Sequence, residues 1–438
     1  MRKPELDMQI FKRRRHQVGQ DIQGSALILA ASPEAIRNFD VHHPYRQDSN
    51  LYYLTGFEEP ESVLLLRPGR DPEAVLFVRS KDVERETWDG FRYGPEGAEE
   101  YFLVDRAYPI QDFEERAAEL LLEVDQVYYS QFRDVAFDRR LQDTLLRVQT
   151  RARRSGRGLL PILDAYPLLG EFRLRKDDHE LKMMRESAEI AAQAHIEVIK
   201  LTSPGINERA LYGRFLYEIM ARGASGPSYQ GIFASGANAT TLHYVFNDQE
   251  CRAGEVILVD AGAEVHGYAS DITRSFPVSK QFTSAQKELY NQVLEVQKKI
   301  IALMRPGTNY SQLQETTVAA LVEVMLDHKL LKGSPQEIIE KGSYRKYYPH
   351  GVSHFLGLDV HDAGKTELAK GQGRPLEERM VLTVEPGIYI PAQDLEAPPE
   401  LRGLGIRIED DVLITAEGPE VLTQGVPKEV HEIEALRS

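Results

Sequence analysis

The sequence is nearly free of cysteine: among its 438 residues there is one, Cys251. A single thiol can form neither a disulfide within the chain nor a thiolate metal cluster, and such usage is typical of a reducing compartment. The first fifteen residues, Met1 to Arg15, are rich in charge and contain no apolar run, which argues against a signal peptide or a membrane anchor. We therefore expect a cytoplasmic protein without a membrane partner.

Basic residues are also few, since 53 lysines and arginines stand against 68 aspartates and glutamates, for a net charge of −15. A protein that binds nucleic acid needs a basic face, so no nucleic-acid partner is expected. The hydrophobic share of 42% and the charged share of 28% are those of a globular protein. Single hydrophobic cores stop growing at about 250–300 residues, so this length predicts two domains.

The first domain, residues 1–172, alternates short apolar runs with stretches of helical spacing, which predicts a mixed α/β fold. The predicted strands are Ser25–Ala31, Ser62–Leu66 and Glu73–Val78, and the predicted helices are Phe113–Val124 and Phe137–Arg154. The residue pattern of this domain shows no obvious catalytic chemistry.

The second domain, residues 173–438, contains a predicted internal duplication. Two amphipathic helices are expected, Asp178–Leu201 and Ser284–Met304, and a Pro-Gly terminator follows each of them. The stretch Glu255–Gly262 resembles Met380–Gly387, because in both an apolar run ends in a carboxylate two residues before a glycine. Each half thus supplies a helix, a hairpin and two acids, which predicts pseudo-twofold symmetry.

The first acidic pair is Asp260 and Asp271, with His266-Gly267 between them. A two-residue hairpin loop at that dipeptide places Asp260 opposite Thr273, so both acids lie on one face of the hairpin. Neighbouring carboxylates repel each other, and a cation between them is the usual resolution. The apolar run Val256–Val259 argues against two solvated acids, although a structural ion pair is an alternative for this pair alone.

The second acidic pair is Glu385 and Glu409. Glu385 ends the apolar strand of its own half, and Pro386 holds it in an extended conformation. Alternation along the strand that contains Glu409 puts Arg407 on the same face as that acid, with two isoleucines on the opposite face. Acids that end buried-looking strands in both halves favour a functional site over a solvated surface.

Three histidines lie within twelve residues: His350, His354 and His361. Nearby glycines favour a turn over a helix here, and a lone histidine is more often a satisfied polar group than a ligand. Four carboxylates and one imidazole make a mostly oxygen donor set, which suits Mn²⁺ first, with Co²⁺, Zn²⁺ or Fe²⁺ as alternatives. Four negative charges balance two dications, and such ions, about 3.5–4 Å apart, share a hydroxide that acts as nucleophile.

Five motifs stand in order along the chain and resemble those of aminopeptidase P, the bacterial Xaa-Pro aminopeptidases of the pita-bread metallopeptidases. They are Leu258–Gly262, Asp271–Pro277, His350–Asp362, Thr383–Tyr389 and Gly405–Asp411. The segment Pro44–Phe57 is similar to that family's first domain, so the resemblance covers nearly the whole chain. It implies an N-terminal α/β domain, a pita-bread catalytic domain, and release of the first residue from peptides whose second residue is proline.

The resemblance also implies a role for each matching residue. Two Mn²⁺ ions would be held by Asp260, Asp271, His354, Glu385 and Glu409. The substrate and the tetrahedral intermediate would accept hydrogen bonds from His243 and His361. The proline pocket would be shaped by His350, Tyr389 and Arg407. Glu385 would also carry the proton to the leaving nitrogen of proline.

The only tryptophan, Trp88, lies in the first domain, where packing is the commoner role for such a residue. In the resembling family a tryptophan at this place reaches the site of a neighbouring subunit in a tetramer. The resemblance therefore implies a substrate contact for Trp88 and a homo-oligomer, either a dimer or a tetramer.

Three other functions compete with this interpretation. Prolidase shares the metal ligands but cuts only Xaa-Pro dipeptides, and the motifs separate the two enzymes poorly. Methionine aminopeptidase needs no first domain of this size. A pita-bread module that only binds peptide or protein loses metal ligands, whereas all five are present here. Serine or cysteine hydrolase chemistry has no support, because no nucleophile-elbow pattern occurs and nothing near Cys251 would activate it.

Overall fold

The computed structural model describes residues 6–437, and the chain divides into two compact units, Met1–Phe172 and Arg173–Ser438. The strands of the first unit are β1 (Ser25–Ala30), β2 (Ile36–Asn38), β3 (Val41–His42), β4 (Val63–Leu66), β5 (Ala74–Val78), β6 (Arg106–Pro109), β7 (Gln126–Tyr128) and β8 (Ile162–Leu163). The helices are α1 (Gln9–Asp21), α2 (Ser49–Thr55), α3 (Val83–Asp89), α4 (Gly94–Phe102), α5 (Phe113–Leu120), α6 (Val135–Ala152) and α7 (Ala165–Leu174), the last of which crosses the boundary.

A mixed six-stranded sheet organises the first unit, in the order β6-β5-β4-β1-β7-β8. Strand β1 pairs antiparallel with β4 and parallel with β7. Its Ile28 belongs to one buried core with Phe77 of β5, Phe113 of α5 and Leu141 of α6, so the helices cover the sheet. The predicted α/β class is confirmed.

The two predicted helices of this unit are present with shifted ends. The first is α-helical only to Leu120 and continues as a 3₁₀ turn to Glu123. The second begins at Val135, two residues earlier than expected, because the side chain of Asp134 accepts hydrogen bonds from the backbone N–H groups of Ala136 and Phe137.

The second unit holds the remaining elements. Its helices are α8 (Asp178–Leu201), α9 (Glu208–Ala221), α10 (Ser284–Leu303), α11 (Tyr310–Asp327), α12 (Pro335–Lys341) and α13 (Val430–Leu436). Its strands are β9 (Gly226–Pro227), β10 (Ile232–Ser235), β11 (Val256–Asp260), β12 (Ala263–Val265), β13 (Tyr268–Ala269), β14 (Thr273–Pro277), β15 (Glu367–Ala369), β16 (Gln372–Gly373), β17 (Val381–Val384), β18 (Gly387–Ile390), β19 (Leu404–Arg407), β20 (Asp410–Ile414) and β21 (Pro419–Val421).

Helices α8 and α10 match their predicted bounds to within one residue. A reciprocal capping box starts each of them, formed by Asp177 with Glu180 in α8 and by Thr283 with Gln286 in α10. At 24 residues α8 is a long helix, yet within residues 6–437 no helix combines the length and apolarity that crossing a bilayer requires.

The hairpin of the first half has the predicted register. Strand β11 pairs antiparallel with β14, and Asp260 lies opposite Thr273. Between them β12 and β13 turn at the expected dipeptide, where His266 and Gly267 have φ values of 48° and 80°. Two successive left-handed residues form the tight turn that suits a twisted hairpin. The acids that flank this turn are therefore fixed relative to each other.

The second half repeats this arrangement with an offset. Strand β17 pairs antiparallel with β20, and Val384 lies opposite Asp410, one residue from each of the acids Glu385 and Glu409. An antiparallel bridge between Thr273 and Glu409 connects the two halves. The pairing of β17 with β20 places Glu385 opposite Glu409, just as Asp260 lies opposite Thr273, so Glu409 corresponds to Thr273. The second acid of the first half, Asp271, lies two residues before Thr273.

Candidate metal centre and active site

The five predicted metal ligands lie at strand ends or in a loop. Asp260 ends β11, Asp271 precedes β14 by two residues, and Glu385 follows β17. Glu409 lies between β19 and β20, while His354 belongs to an irregular segment, in agreement with the turn predicted there. Strand ends in these sheets deliver the four acids, so backbone pairing fixes where the carboxylates lie.

All five residues line one cavity of about 830 Å³. The same cavity is lined by four more of the predicted site residues: His243, His350, His361 and Arg407. The other two lie elsewhere: Tyr389 is buried behind the wall and contacts His350 and Arg407, while Trp88 belongs to α3 of the first unit with 83% of its surface exposed.

Three of the ligands converge closely. Asp271, His354 and Glu409 each offer a ligand atom within 4.8 Å of the others. Nε2 of His354 is 3.5 Å from Oδ2 of Asp271 and 3.6 Å from Oε1 of Glu385. Nδ1 of His354 lies 3.0 Å from the carbonyl oxygen of Phe355, and donation to that oxygen leaves the lone pair of Nε2 free toward the acids.

Burial makes the negative charge of this cluster costly. It raises the pKa of Glu385 to about 7, and it raises the pKa of Glu409 well above the ordinary value, with neighbouring acids adding to both shifts. The pKa of Asp260 is raised by burial even though Arg407 opposes the shift. Among the described residues, four carboxylates thus share one permanent cation, which leaves the cluster short of positive charge.

Asp271 and His354 form a coupled pair inside this cluster. Although burial raises the pKa of Asp271, hydrogen bonding and attraction to His354 lower it overall. Burial likewise lowers the pKa of His354, but contact with Asp271 and the charge of Glu385 raise it to about 9. The imidazole therefore takes up a proton as a partial substitute for a stronger cation between the acids.

A directed chain of hydrogen bonds runs along one wall. Nη1 of Arg407 donates to the Tyr389 hydroxyl over 2.9 Å, and that hydroxyl lies 2.8 Å from Nε2 of His350. Nδ1 of His350 is 2.7 Å from the carbonyl oxygen of Gly351, so Nε2 accepts from Tyr389. Burial and the charge of Arg407 lower the pKa of His350 to about 4, which keeps this imidazole neutral near pH 7.

Arg407 also fixes the first acid. Its Nη2 donates to Oδ2 of Asp260 over 2.5 Å, and its Nε donates to the Thr273 hydroxyl over 3.2 Å. That hydroxyl donates in turn to Oε2 of Glu409 over 2.7 Å. One buried arginine therefore orients acids from both halves of the duplication.

Sequence reasoning missed Tyr229. Its hydroxyl lies 2.5 Å from Oδ1 of Asp260 and 2.6 Å from Oδ1 of Asp271, although the residue precedes Asp260 by 31 positions. It also missed two residues of α11 that hold the histidine segment: Tyr310 donates to the Ser353 carbonyl, and Oε1 of Gln314 accepts from Val352 N–H over 2.8 Å. Neither periodicity nor a motif marks these residues, because their partners are distant in sequence.

The chain matches two known protein families. Residues 182–416 match metallopeptidase family M24, and residues 11–128 match the N-terminal domain of aminopeptidase P. A relative named Xaa-Pro aminopeptidase, from Escherichia coli strain K12, is 41% identical over 99% of this chain and 98% of the relative.

Solved structures give the same result. A Pseudomonas aeruginosa aminopeptidase is 42% identical and superposes with a TM-score of 0.95 over 98% of both chains. Zinc-substituted E. coli aminopeptidase P in complex with product is 41% identical, with a TM-score of 0.93 over 99% of this chain and 98% of that chain. The fold expected from the sequence motifs is thereby confirmed.

Proposed function

This chain belongs to metallopeptidase family M24 and is an Xaa-Pro aminopeptidase, and we propose that its cavity holds two Mn²⁺ ions on the five converging residues. The observation that carries the proposal is the charge imbalance in the cavity, where three buried carboxylates and that of the half-buried Glu385 share one arginine. We assign the peptide-cleaving chemistry to Arg173–Ser438, because the cavity is lined entirely from that unit.

The residues present fit divalent ions. The donor set is Asp260, Asp271, His354, Glu385 and Glu409. Four carboxylates and one imidazole match the preference of Mn²⁺ for oxygen with some nitrogen, and Co²⁺, Zn²⁺ and Fe²⁺ accept the same set. Four negative charges balance two dications, which would remove the repulsion that now raises the pKa of Glu385 and Glu409.

The metal ions, when bound, supply Lewis acidity that activates water and polarises the scissile carbonyl. The protein must also deliver a proton, because proline leaves as a secondary amine. Glu385 is suited to this proton transfer, because its carboxyl lines the cavity and its oxygens can accept a proton and give it up again. We propose that its carboxyl takes a proton during attack and passes it to the proline nitrogen.

The histidines around the cavity position the peptide. His243 and His361 line it and present imidazole nitrogens, which we assign to the peptide carbonyl and the developing oxyanion. The neutral imidazole of His350 is held by Tyr389, whose own partner is Arg407. We assign the His350 side of this wall to the ring of the second residue, since an ordered, neutral imidazole suits an apolar five-membered ring.

Several finer properties belong to the same proposal. We propose a homo-oligomer, a dimer or a tetramer, in which the exposed ring of Trp88 contacts peptide bound to a neighbouring subunit. We also propose a cytoplasmic location, because Cys251 is buried as a free thiol and suits a reducing compartment.

Metal-reconstituted hydrolysis tests the proposal. Protein stripped with chelator is assayed before and after addition of Mn²⁺, with an Xaa-Pro-Xaa tripeptide and the matching Xaa-Pro dipeptide as substrates. We expect metal-dependent release of the first residue from the tripeptide, and titration calorimetry should give two ions per chain.

The other outcomes contradict specific parts of the proposal. Cleavage of the dipeptide alone would make the protein a prolidase. Metal binding without cleavage of either peptide would support a module that only binds peptide. A calorimetric stoichiometry of one ion would refute the two-ion centre while leaving the aminopeptidase activity in place.

A further inference from the structure

Glu208, the first residue of α9, is a fully buried acid outside the metal cluster, with 0% of its surface exposed. Within residues 6–437 no ion pair involves its carboxylate, so hydrogen bonds alone stabilise the charge. Oε1 accepts from the backbone N–H of Ser235 over 2.8 Å, from its hydroxyl over 3.1 Å and from Nδ2 of Asn238 over 3.0 Å. Oε2 accepts from the Tyr244 hydroxyl and the Gln249 N–H, both over 3.0 Å.

All five donors lie in residues 235–249, which start at the last residue of β10 and run into the connection that leads to β11. The regular structure of this connection is a single 3₁₀ turn, Gly236–Thr240. The backbone adds one further bond, since the N–H of Glu208 donates to the carbonyl oxygen of Gln249 over 2.9 Å. The connection has little hydrogen bonding of its own, so its path depends on bonds to the rest of the unit. This carboxylate accepts five of them, and the buried side chain of Asn247 makes two more, with Gly231 and Phe233.

The connection carries His243 into the active-site cavity. Tyr244, the next residue, places its hydroxyl on Glu208 and packs its ring in a buried cluster that also contains Tyr389 and Leu258. Leu242, on the other side of His243, packs against the same cluster and lines the cavity. The backbone of His243 is therefore anchored on both sides, and one anchor ends at Glu208.

We propose that Glu208 is a positioning residue that sets the place of His243 in the active site by holding residues 235–249. The inference rests on the proposed function, in which His243 contacts the peptide. A carboxylate suits this place because it only accepts hydrogen bonds and faces five donors. Its amide analogue would turn two N–H groups toward those donors, so Glu208→Gln changes the hydrogen bonding with little change in volume.

Glu218 provides a matched control on the same helix. It is buried to a similar degree, with 4% exposed, but its carboxylate pairs with Arg214 and Arg222. We expect Glu208→Gln to lower kcat/KM for the tripeptide by about ten-fold, the usual cost of a lost hydrogen bond to a charged group, and Glu218→Gln by less than about two-fold. Tyr244→Phe removes one of the five bonds and should cost about three-fold.

A double-mutant cycle separates positioning from general loosening of the fold. If Glu208 acts through His243, the about ten-fold effect of Glu208→Gln should shrink to less than about two-fold in a His243→Ala background. Independent, multiplicative effects of the two substitutions would overturn the proposal. An unchanged kcat/KM in both Glu208→Gln and Tyr244→Phe would overturn it as well.

Amide hydrogen exchange gives a readout that needs no activity. Exchange in residues 236–249 should accelerate in Glu208→Gln and stay at the wild-type rate in Glu218→Gln. Unchanged exchange there would refute the anchoring. Faster exchange in a protein that cleaves neither peptide would instead refute the proposed function and leave the anchoring in place.

Discussion

The second unit contains two buried acidic regions that differ in charge balance. Among the described residues of the cavity, Asp260, Asp271, Glu385 and Glu409 share Arg407 as their only permanent cation, and the pKa of three of these acids is raised. Directly beyond Glu409, Asp410 is fully buried between Arg274 and Lys428. Burial raises its pKa, but the two cations prevail and lower it to about 2.

The contrast shows that burial alone does not mark a metal site. Asp410 has two cations and further donors in Gln297 and Thr423, so its charge is satisfied within the protein. The cavity acids carry excess charge and open onto solvent-accessible space. A deficit of positive charge beside free volume is therefore the feature that favours a cation-binding site.

The largest expected effect comes from removing a cavity acid. Asp271→Ala should lower kcat/KM by at least about 1,000-fold, since residues that act as one unit fail together. The same substitution should leave the metal-free fold intact, because His354 keeps Glu385 as an acidic neighbour and the repulsion among the remaining acids falls. Tripeptide hydrolysis and far-UV circular dichroism measure the two effects. Near wild-type turnover would rule out Asp271 as a metal ligand.

Removal of Asp410, the acid whose charge two cations balance, should instead destabilise the fold. Asp410→Ala leaves the buried Arg274 and the half-buried Lys428 without their shared acid and should lower the free energy of unfolding by about 3–5 kcal/mol. Urea denaturation of chelator-treated protein measures the loss. Glu420→Ala, which breaks a half-exposed pair with Arg185, is the control and should cost less than about 1 kcal/mol. Equal losses in the two variants would contradict the comparison.

Stability of the metal-free protein should fall as pH rises through neutrality. Unfolded chain releases the Glu385 proton near pH 4.5, whereas the folded protein retains it to about pH 7. Between these values the folded state binds more protons, so about 3 kcal/mol of stability is lost with rising pH. Urea denaturation at a series of pH values measures the slope.

Two comparisons sharpen that experiment. Glu385→Gln, and Mn²⁺ bound to the wild-type protein, should each flatten the slope, because neither leaves a proton to be lost there. Asp410, with its lowered pKa, should act in the reverse direction and remove stability only as pH falls from 3.8 toward 2. A slope that survives Glu385→Gln below pH 7 would point to Glu409 or Asp260, whose pKa values are also raised, and a slope above pH 7 would point to His354.

The smallest expected effect belongs to Tyr229. Its hydroxyl has one hydrogen for two carboxylates, so it orients Asp260 and Asp271 without neutralising either. Tyr229→Phe should lower kcat/KM by about ten-fold, the usual cost of one hydrogen bond to a charged group. Tyr217→Phe, at an exposed position of α9, should leave activity unchanged. Equal activity in both variants would remove Tyr229 from the site.

The parts of the fold that follow local rules could be predicted from the sequence. Helix α8 has the expected bounds because Asp177 caps its start and a Pro-Gly pair follows its end. The register of Asp260 with Thr273 was predictable because a two-residue turn at His266 and Gly267 fixes it. Those features depend on residues close together in the chain.

The supporting contacts could not be predicted in the same way. Glu208 reaches Tyr244 across 36 residues, and Arg274 reaches Asp410 across 136. The packing of the two halves decides which buried acid pairs with which cation, and sequence periodicity does not indicate that packing. The sequence repeat correctly predicted acids in both halves, but it did not show that Asp271 lies two residues away from the position that corresponds to Glu409. That position is Thr273, and the bridge between Thr273 and Glu409 joins strands from different halves, which no local pattern indicates.

The bridge between Thr273 and Glu409 has a consequence for how the active site assembles during synthesis and folding of the chain. Asp260 and Asp271 leave the ribosome long before Glu385 and Glu409, and 149 residues separate the first ligand from the last. A half-made chain therefore holds no complete centre, and a copy whose halves have not joined stays inert toward surrounding peptides. Because the five proposed ligands come from both halves, we expect the metal ions to bind only after the halves have packed together.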